Sequence, residues 1–184
     1  MTEFVESVRS QVVGQLASGV ATGDVLAGLC LSFESNMPGT KAGVTILDRT
    51  LQTFEHAIFP SLSPDYAQAL KGIAVADKPG SCALAVHEGR TVVSTDVATD
   101  SRFAAIWRDL GTDHGLEALV SIPAKDGHGQ SLGTFVVAYP PKAGLNRDDL
   151  KRADDFAELC AYVLAHSRNH ATRNPVVSLT TLSE

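Results

Sequence analysis

A cysteine, a histidine, an aspartate and several hydroxyls lie within seventeen residues, between Gly80 and Asp96. Cys82 follows a Pro79-Gly80 turn and opens a run of small residues suited to a helix. A thiol at a helix start meets free N–H groups and the positive end of the dipole, which lower its pKa. That would make Cys82 a redox sensor or a ligand contact. A free cysteine also packs as a small hydrophobe, and this is the preferred reading here. Asp96 closes the β-branched run Val92-Val93-Ser94-Thr95. Its carboxylate could bind a donor on a ligand or cap the next turn, and Ser94 and Thr95 share that ambiguity. His87 and His114 could ligate haem iron or hydrogen-bond an anion, although a solvated or structural role is commoner. His166 and His170 stand at i, i+4 but have no carboxylate or cysteine partner at a useful spacing, so they read as a chance pair. Phe103 and Trp107 are one helical turn apart and face the same way. Phe103 suits core packing. Trp107 is a candidate ligand contact, because a buried indole N–H needs a partner.

Enzyme motifs are scarce. No Gly-x-Gly-x-x-Gly, P-loop or His-Glu-x-x-His occurs. The three cysteines, Cys30, Cys82 and Cys160, are odd in number and far apart, so they suggest reduced thiols in a reducing compartment. At 184 residues the chain can bury a core without disulfides or metal. A net charge of −6 argues against a general nucleic-acid surface, which would need clustered Lys and Arg. No apolar run is long enough to span a membrane. The acidic start, Met1-Thr2-Glu3-Phe4-Val5-Glu6, lacks the order of a signal peptide. A cytosolic protein is expected.

The elements that must place these residues can be read in order. Val5, Val8, Val12 and Leu16 make a narrow helical stripe over 4–17, of the kind that packs on another helix, including one from a second chain. A second helix runs over 24–36, with Val25, Leu26, Leu29, Cys30 and Phe33 on its apolar face. Strands follow at 42–47 and 51–59, then a short helix at 65–70. After the 80–96 stretch, Asp100 or Ser101 caps a short helix running through Trp107, and 110–115 reads as a loop. A strand at 116–123 puts Ala118, Val120 and Ile122 on one face. A hairpin turn at 125–130 leads to the most apolar strand, 132–139, expected at the sheet centre. Asn146 with Asp149 forms a capping pattern for a last helix over 147–170. An α+β domain results, with an antiparallel sheet carrying terminal helices on one face.

Four motifs in this order resemble the GAF domain family. They are Asp24-Val25-Leu26 with Glu34; Pro79-Gly80-Ser81-Cys82 with Ala85-Val86; Val92 to Asp96 with Asp100-Ser101-Arg102-Phe103; and His114 to Ala118 with Ser121-Ile122-Pro123 and Leu132-Gly133-Thr134-Phe135. Ala83 stands where relatives often carry Gly, which works against a tight backbone approach of a ligand. The resemblance implies a six-stranded antiparallel sheet, terminal helices on one face that often dimerise, and a ligand pocket on the other under residues 73–115. It names no ligand or cofactor. Bilin attachment in the family generally uses a cysteine next to a histidine, and none occurs here. The GAF-fold methionine sulfoxide reductases rely on several cysteines near the pocket, and only Cys82 falls in that region.

The expectation is therefore an N-terminal amphipathic helix over 1–20, a GAF domain over 21–170, and a tail or linker over 171–184. The expected function is a non-enzymatic sensor, without metal, nucleic acid or membrane. It binds a small ligand through Cys82, His87, Thr95, Asp96, Phe103, Trp107, His114 and Ser121. It signals through a homodimer of terminal helices to an output domain or partner. The alternative is a ligand-free relay module with a closed pocket.

Overall fold

The computed structural model describes residues 2–75, 80–141 and 144–173. Helices α1 (Thr2–Ala17) and α2 (Thr22–Asn36) come first. The α1 stripe is used within the chain: Val5, Val8 and Val12 are buried in the core that α1 shares with α2 and α6 (Arg147–Arg173). The five α2 residues expected to be apolar-facing are all buried. Phe33 of α2 meets Phe156 of α6 and Phe135 of the sheet edge-on, at centroid separations of 5.1 and 5.2 Å. Such aromatic pairs add about 0.5–1.5 kcal/mol each beyond area burial. Glu34 fastens the next segment by accepting the Ala42 N–H at 2.7 Å and the Ser61 hydroxyl.

Strands β1 (Lys41–Asp48) and β2 (Thr53–Ile58) form a hairpin. The Asp48 carboxylate accepts the N–H groups of Thr50 and Leu51 in its turn. Then come α3 (Pro64–Leu70), α4 (Ser81–Glu88), β3 (Val92–Ser94), α5 (Ala105–Asp113), β4 (Ala118–Lys125) and β5 (Ser131–Tyr139). The antiparallel sheet has the order β2-β1-β5-β4-β3, so the most apolar strand is central, as its composition requires. Alternation divides its side chains between two layers. Val44, Val120, Ile122, Phe135 and Val137 face α1, α2 and α6, whereas Leu119 and Val136 pack with α3 and α4.

Three expectations need correction. The described residues hold five strands, not six. A sixth ribbon is cut short: the chain turns at Gly72 (φ 80°), bonds Phe54 through Gly72 and Ile73, and makes a single bridge from Ala74 to Thr53. The short helix does not begin at Asp100 or Ser101. Asp100 instead closes a turn on the Arg102 N–H, and α5 starts at Ala105, with Phe103 buried ahead of it. The stretch 110–113, expected as loop, continues α5 because Gly111 is helical there and lets the helix pass Val97.

Asn146 caps α6 as its spacing predicts. Its side-chain oxygen accepts the Asp148 and Asp149 N–H groups, and Asp149 accepts the Asn146 N–H in return. α6 runs three residues past the expected end at 170. The rest of the expected tail, 174–184, lies outside the described residues, as does the 76–79 segment leading into α4. No helix among the described residues is long and apolar enough to cross a membrane.

Candidate functional site

The site is built around α4. Gly80 precedes it in extended conformation, and Gly89 ends it in the left-handed region (φ 61°), its N–H bonding the Val86 carbonyl. Between them the small residues Ser81, Cys82, Ala83 and Ala85 are buried. Their size lets the helix lie close on β4 and β5, with no long side chain to hold it off. Where it lands, hydroxyls meet. Ser121 donates to Ser81 at 2.9 Å, and both oxygens stand about 4 Å from the Cys82 sulfur, at 3.9 and 4.0 Å. On β5, Thr134 shares a 2.7 Å hydrogen bond with Thr45. A polar seam thus crosses β4, β5 and β1 inside an apolar layer, its members paired with one another.

Burial pushes the Cys82 thiol above its ordinary value, and hydrogen bonding with the neighbouring hydroxyls only partly opposes it. The helix start was expected to lower that pKa. Desolvation wins because the sulfur is enclosed between α4 and the sheet. The group is a protonated thiol, a poor nucleophile. Burial likewise raises the thiols of Cys30 and Cys160, and all three cysteines are free and buried.

Beside Ser81 and Cys82 lies a cavity of about 30 Å³, walled by Phe54, Tyr66, Phe103 and Trp107 and by aliphatic side chains of Leu70, Ile73, Val97, Leu110 and Leu119. That is room for a water or two. It is far below the roughly 300–1,000 Å³ of a small-molecule site. The Trp107 ring lies against Gly80, where a Cβ would stand 3.4 Å from it. Trp107 belongs to α5, whose only buried residue is Gly111. The helix's side-chain polar contacts are local: Arg108 bonds the carbonyls of Phe103 and Asp100, and Thr112 bonds carbonyls one turn back. α5 is the least anchored wall.

Of the residues expected at the site, Cys82, Phe103 and Trp107 line this cavity, and Ser121 supports it through Ser81. His114 stands just behind: its Nδ1 is 2.9 Å from the Leu110 carbonyl and its ring 5.2 Å from that of Tyr66. His87 is exposed, in an open groove with Arg49, Glu88 and Gln130. Thr95 and Asp96 are exposed, and Asp96 accepts the Ala98 N–H and the Thr99 hydroxyl, so its carboxylate caps the turn. Ser94 is buried with its hydroxyl unpaired. The His170 side chain lies outside what is described, and no metal-holding cluster of His, Cys, Asp or Glu occurs among the described residues.

Tyr66 and Phe54 were not singled out from the sequence, and Ser81 and Thr134 entered only as members of the family motifs. The alternation of β5 marks Thr134 as an inward polar residue, which is a usable signal. Tyr66 carries none, because its place depends on where α3 docks. Gly129-Gln130-Ser131-Leu132-Gly133 fits the Gly-x-Ser-x-Gly pattern of nucleophilic serines and was passed over. It lies on a hairpin running into β5, not on a strand-to-helix turn, so it forms no nucleophile elbow.

The GAF domain model matches residues 23–164, and the chain belongs to the GAF domain family. No curated protein matches it. Solved structures of the same fold include the GAF domain of a phosphoenolpyruvate-protein phosphotransferase from Coxiella burnetii (TM-score 0.73, 14% identity, 91% of this chain and 96% of that one). Free methionine-R-sulfoxide reductase from Neisseria meningitidis is also similar (TM-score 0.68, 17% identity, 92% and 90%). So is the phycoerythrobilin-bound GAF domain of a cyanobacterial phytochrome (TM-score 0.65, 14% identity, 92% and 99%). At these identities the likeness is one of fold.

Proposed function

We propose that this GAF domain is a cytosolic, non-enzymatic sensor module. A small ligand enters between α4 and α5, and the terminal helices on the opposite sheet face pass the change to a second copy and an output domain. The observation that carries this reading is the aromatic cavity closed by α5, a wall held mainly by Trp107, Leu110 and Gly111. Moving one lightly anchored helix costs less than remodelling a sheet-backed wall. Cys82, Phe103 and Trp107 are the proposed contacts, with Ser121 and His114 supporting from behind. Relatives of fold from a phytochrome and a sensor histidine kinase of Sinorhizobium meliloti are consistent with a signalling role. Thermal-shift screening of nucleotides, anions, amino acids and haem, followed by calorimetry, tests it. A saturable hit weakened by Trp107→Ala supports the reading, and no hit across the classes removes it.

A second reading is favoured by the cavity's size. At about 30 Å³ it holds no ligand as it stands, which suits a closed module that only dimerises and relays. Sedimentation at high micromolar concentration decides that reading, since a monomer there excludes it.

Two similar folds are methionine sulfoxide reductases, from Neisseria meningitidis and Thermoplasma acidophilum. Turnover of that kind needs an accessible thiolate. Here the one cavity thiol is buried and protonated, and Cys30 and Cys160 lie in the other layer. Assay with free methionine sulfoxide and dithiothreitol is expected to give no turnover. Activity lost in Cys82→Ser would overturn the non-enzymatic reading.

A further inference from the structure

We infer that movement of α5 reaches α2 around the end of β2, through Tyr66 and Phe59, and that Glu34 is the positioning residue at which it crosses the sheet. This rests on the reading above that a ligand displaces α5, and it adds the route from that wall to the terminal helices.

The crossing point is a gap in the sheet. β2 ends at Ile58, opposite Val44, whereas β5 stays paired with β1 as far as Lys41. Lys41, Ala42 and Gly43 therefore have a strand on one side only. A backbone N–H in such a place needs another acceptor. Glu34 of α2 supplies it: one carboxylate oxygen accepts the Ala42 N–H at 2.7 Å, and the other accepts the Ser61 hydroxyl. Ser61 lies between β2 and α3, and α3 brings Tyr66 and Leu70 to the cavity wall. One side chain of the helical layer thus holds both the start of β1 and the segment leading into the cavity layer. Hydrogen bonds to an ionised acceptor are stronger than neutral ones, so displacing either partner pulls on the other.

From Ser61 the contacts run on to α5. Phe59, two residues earlier, is buried, and its ring lies over Gly43, where an added Cβ would overlap it. The missing side chain lets the ring seat against β1, next to the residue that Glu34 holds. Phe59 meets the Tyr66 ring edge-on at 4.9 Å, and Tyr66 meets the His114 ring at 5.2 Å. His114 ends α5, and its Nδ1 is 2.9 Å from the Leu110 carbonyl. Leu110 and Tyr66 both line the cavity. Close-packed interiors transmit displacement instead of absorbing it. A shift of α5 therefore bears on Tyr66 and Phe59, and through them on the stretch of β1 and the Ser61 segment that one α2 carboxylate fastens.

Hydrogen exchange of the full chain, read by mass spectrometry without any ligand, tests the route. Glu34→Ala is expected to speed exchange over 105–113 about two- to tenfold, the reach of coupling along packed networks. A merely local role would speed only 34–43 and 59–63. Exchange of β5 reports global stability and serves as the control. Glu34→Gln keeps an acceptor for Ala42 and a polar partner for Ser61, so it is expected to restore the slow rate over 105–113. Ser61 is exposed, so Ser61→Ala keeps the route testable if Glu34→Ala folds poorly. It is expected to raise the same rate about twofold. Unchanged exchange over 105–113, or a rise there matched by an equal rise in β5, overturns the inference and leaves the sensor reading intact. The two failures are separate, because the sensor reading falls only with a ligand screen that finds no hit.

Discussion

At the scale of single residues, the site is a set of small polar groups that satisfy one another under an aromatic roof. Cys82 is one member of that set, not its reactive centre. Because all three thiols are buried and pushed upward, none is expected to react with a disulfide reagent within minutes in the folded protein, and all three should react in denaturant. One fast thiol in the native state would restore the redox reading of Cys82. Ser121→Ala removes the donor to Ser81 and leaves a buried hydroxyl short of a partner. Urea titration should show a loss of about 1–3 kcal/mol. Some of this was legible from residue types alone. The Asn146 cap was, because an Asx residue with an acid three positions on has one common use. Asp96 was not resolved, since a carboxylate at a strand end serves a ligand and a turn equally well until the turn is seen. Tyr66 was invisible because the place of its ring, between Phe59 and His114, is decided by distant parts of the chain.

At the scale of elements, backbone proximity sets the sharpest constraints. A Cβ at Gly133 would stand within van der Waals overlap of the Thr45 carbonyl, 1.9 Å away, where β5 pairs with β1. No rotamer relieves a clash with backbone, so Gly133→Ala is expected to cost several kcal/mol and to reduce folded yield. Gly14 is the contrast: it is exposed in α1 with nothing within 4 Å of its added Cβ. Gly14→Ala should stabilise the protein by about 0.5–1 kcal/mol. Thermal melts of the two variants check both signs. Periodicity located the helices of the buried layer and the central strand, because these have one clear apolar face. It failed at α5. That helix is short and mostly exposed, and Gly111 suggested a break where the structure uses its small size to clear Val97. The strand count failed because the 72–75 ribbon pairs for too few residues to leave an alternating signature.

At the scale of the whole molecule, one sheet separates two layers of different character. The α1, α2 and α6 layer is continuous and apolar, whereas the α3, α4 and α5 layer encloses a cavity. That division followed from the order of elements, but the closing of the cavity did not, because volume depends on side-chain interlock. The surface also carries a charge dependence. Asp100, bonded twice by the Arg102 side chain and once by its N–H, is held down to about 2. A depressed carboxyl contributes stability that is present above its unfolded pKa, near 4, and is lost as pH falls through 2. Melting temperature should therefore drop between pH 4 and pH 2, and Asp100→Asn should lower the pH 7 value and show a shallower drop. The effect is a few degrees at most, because the Arg102 side chain is solvent-exposed. The same arginine also reaches the Val93 carbonyl at 2.6 Å. Val93 lies on β3, one margin of the sheet, and the opposite margin at β2 is covered by the 72–75 ribbon. Each open rim of the sheet is thus partly occupied by its own chain. Strands of other molecules find fewer free carbonyls and amides to extend it, which works against sheet-to-sheet fusion and aggregation.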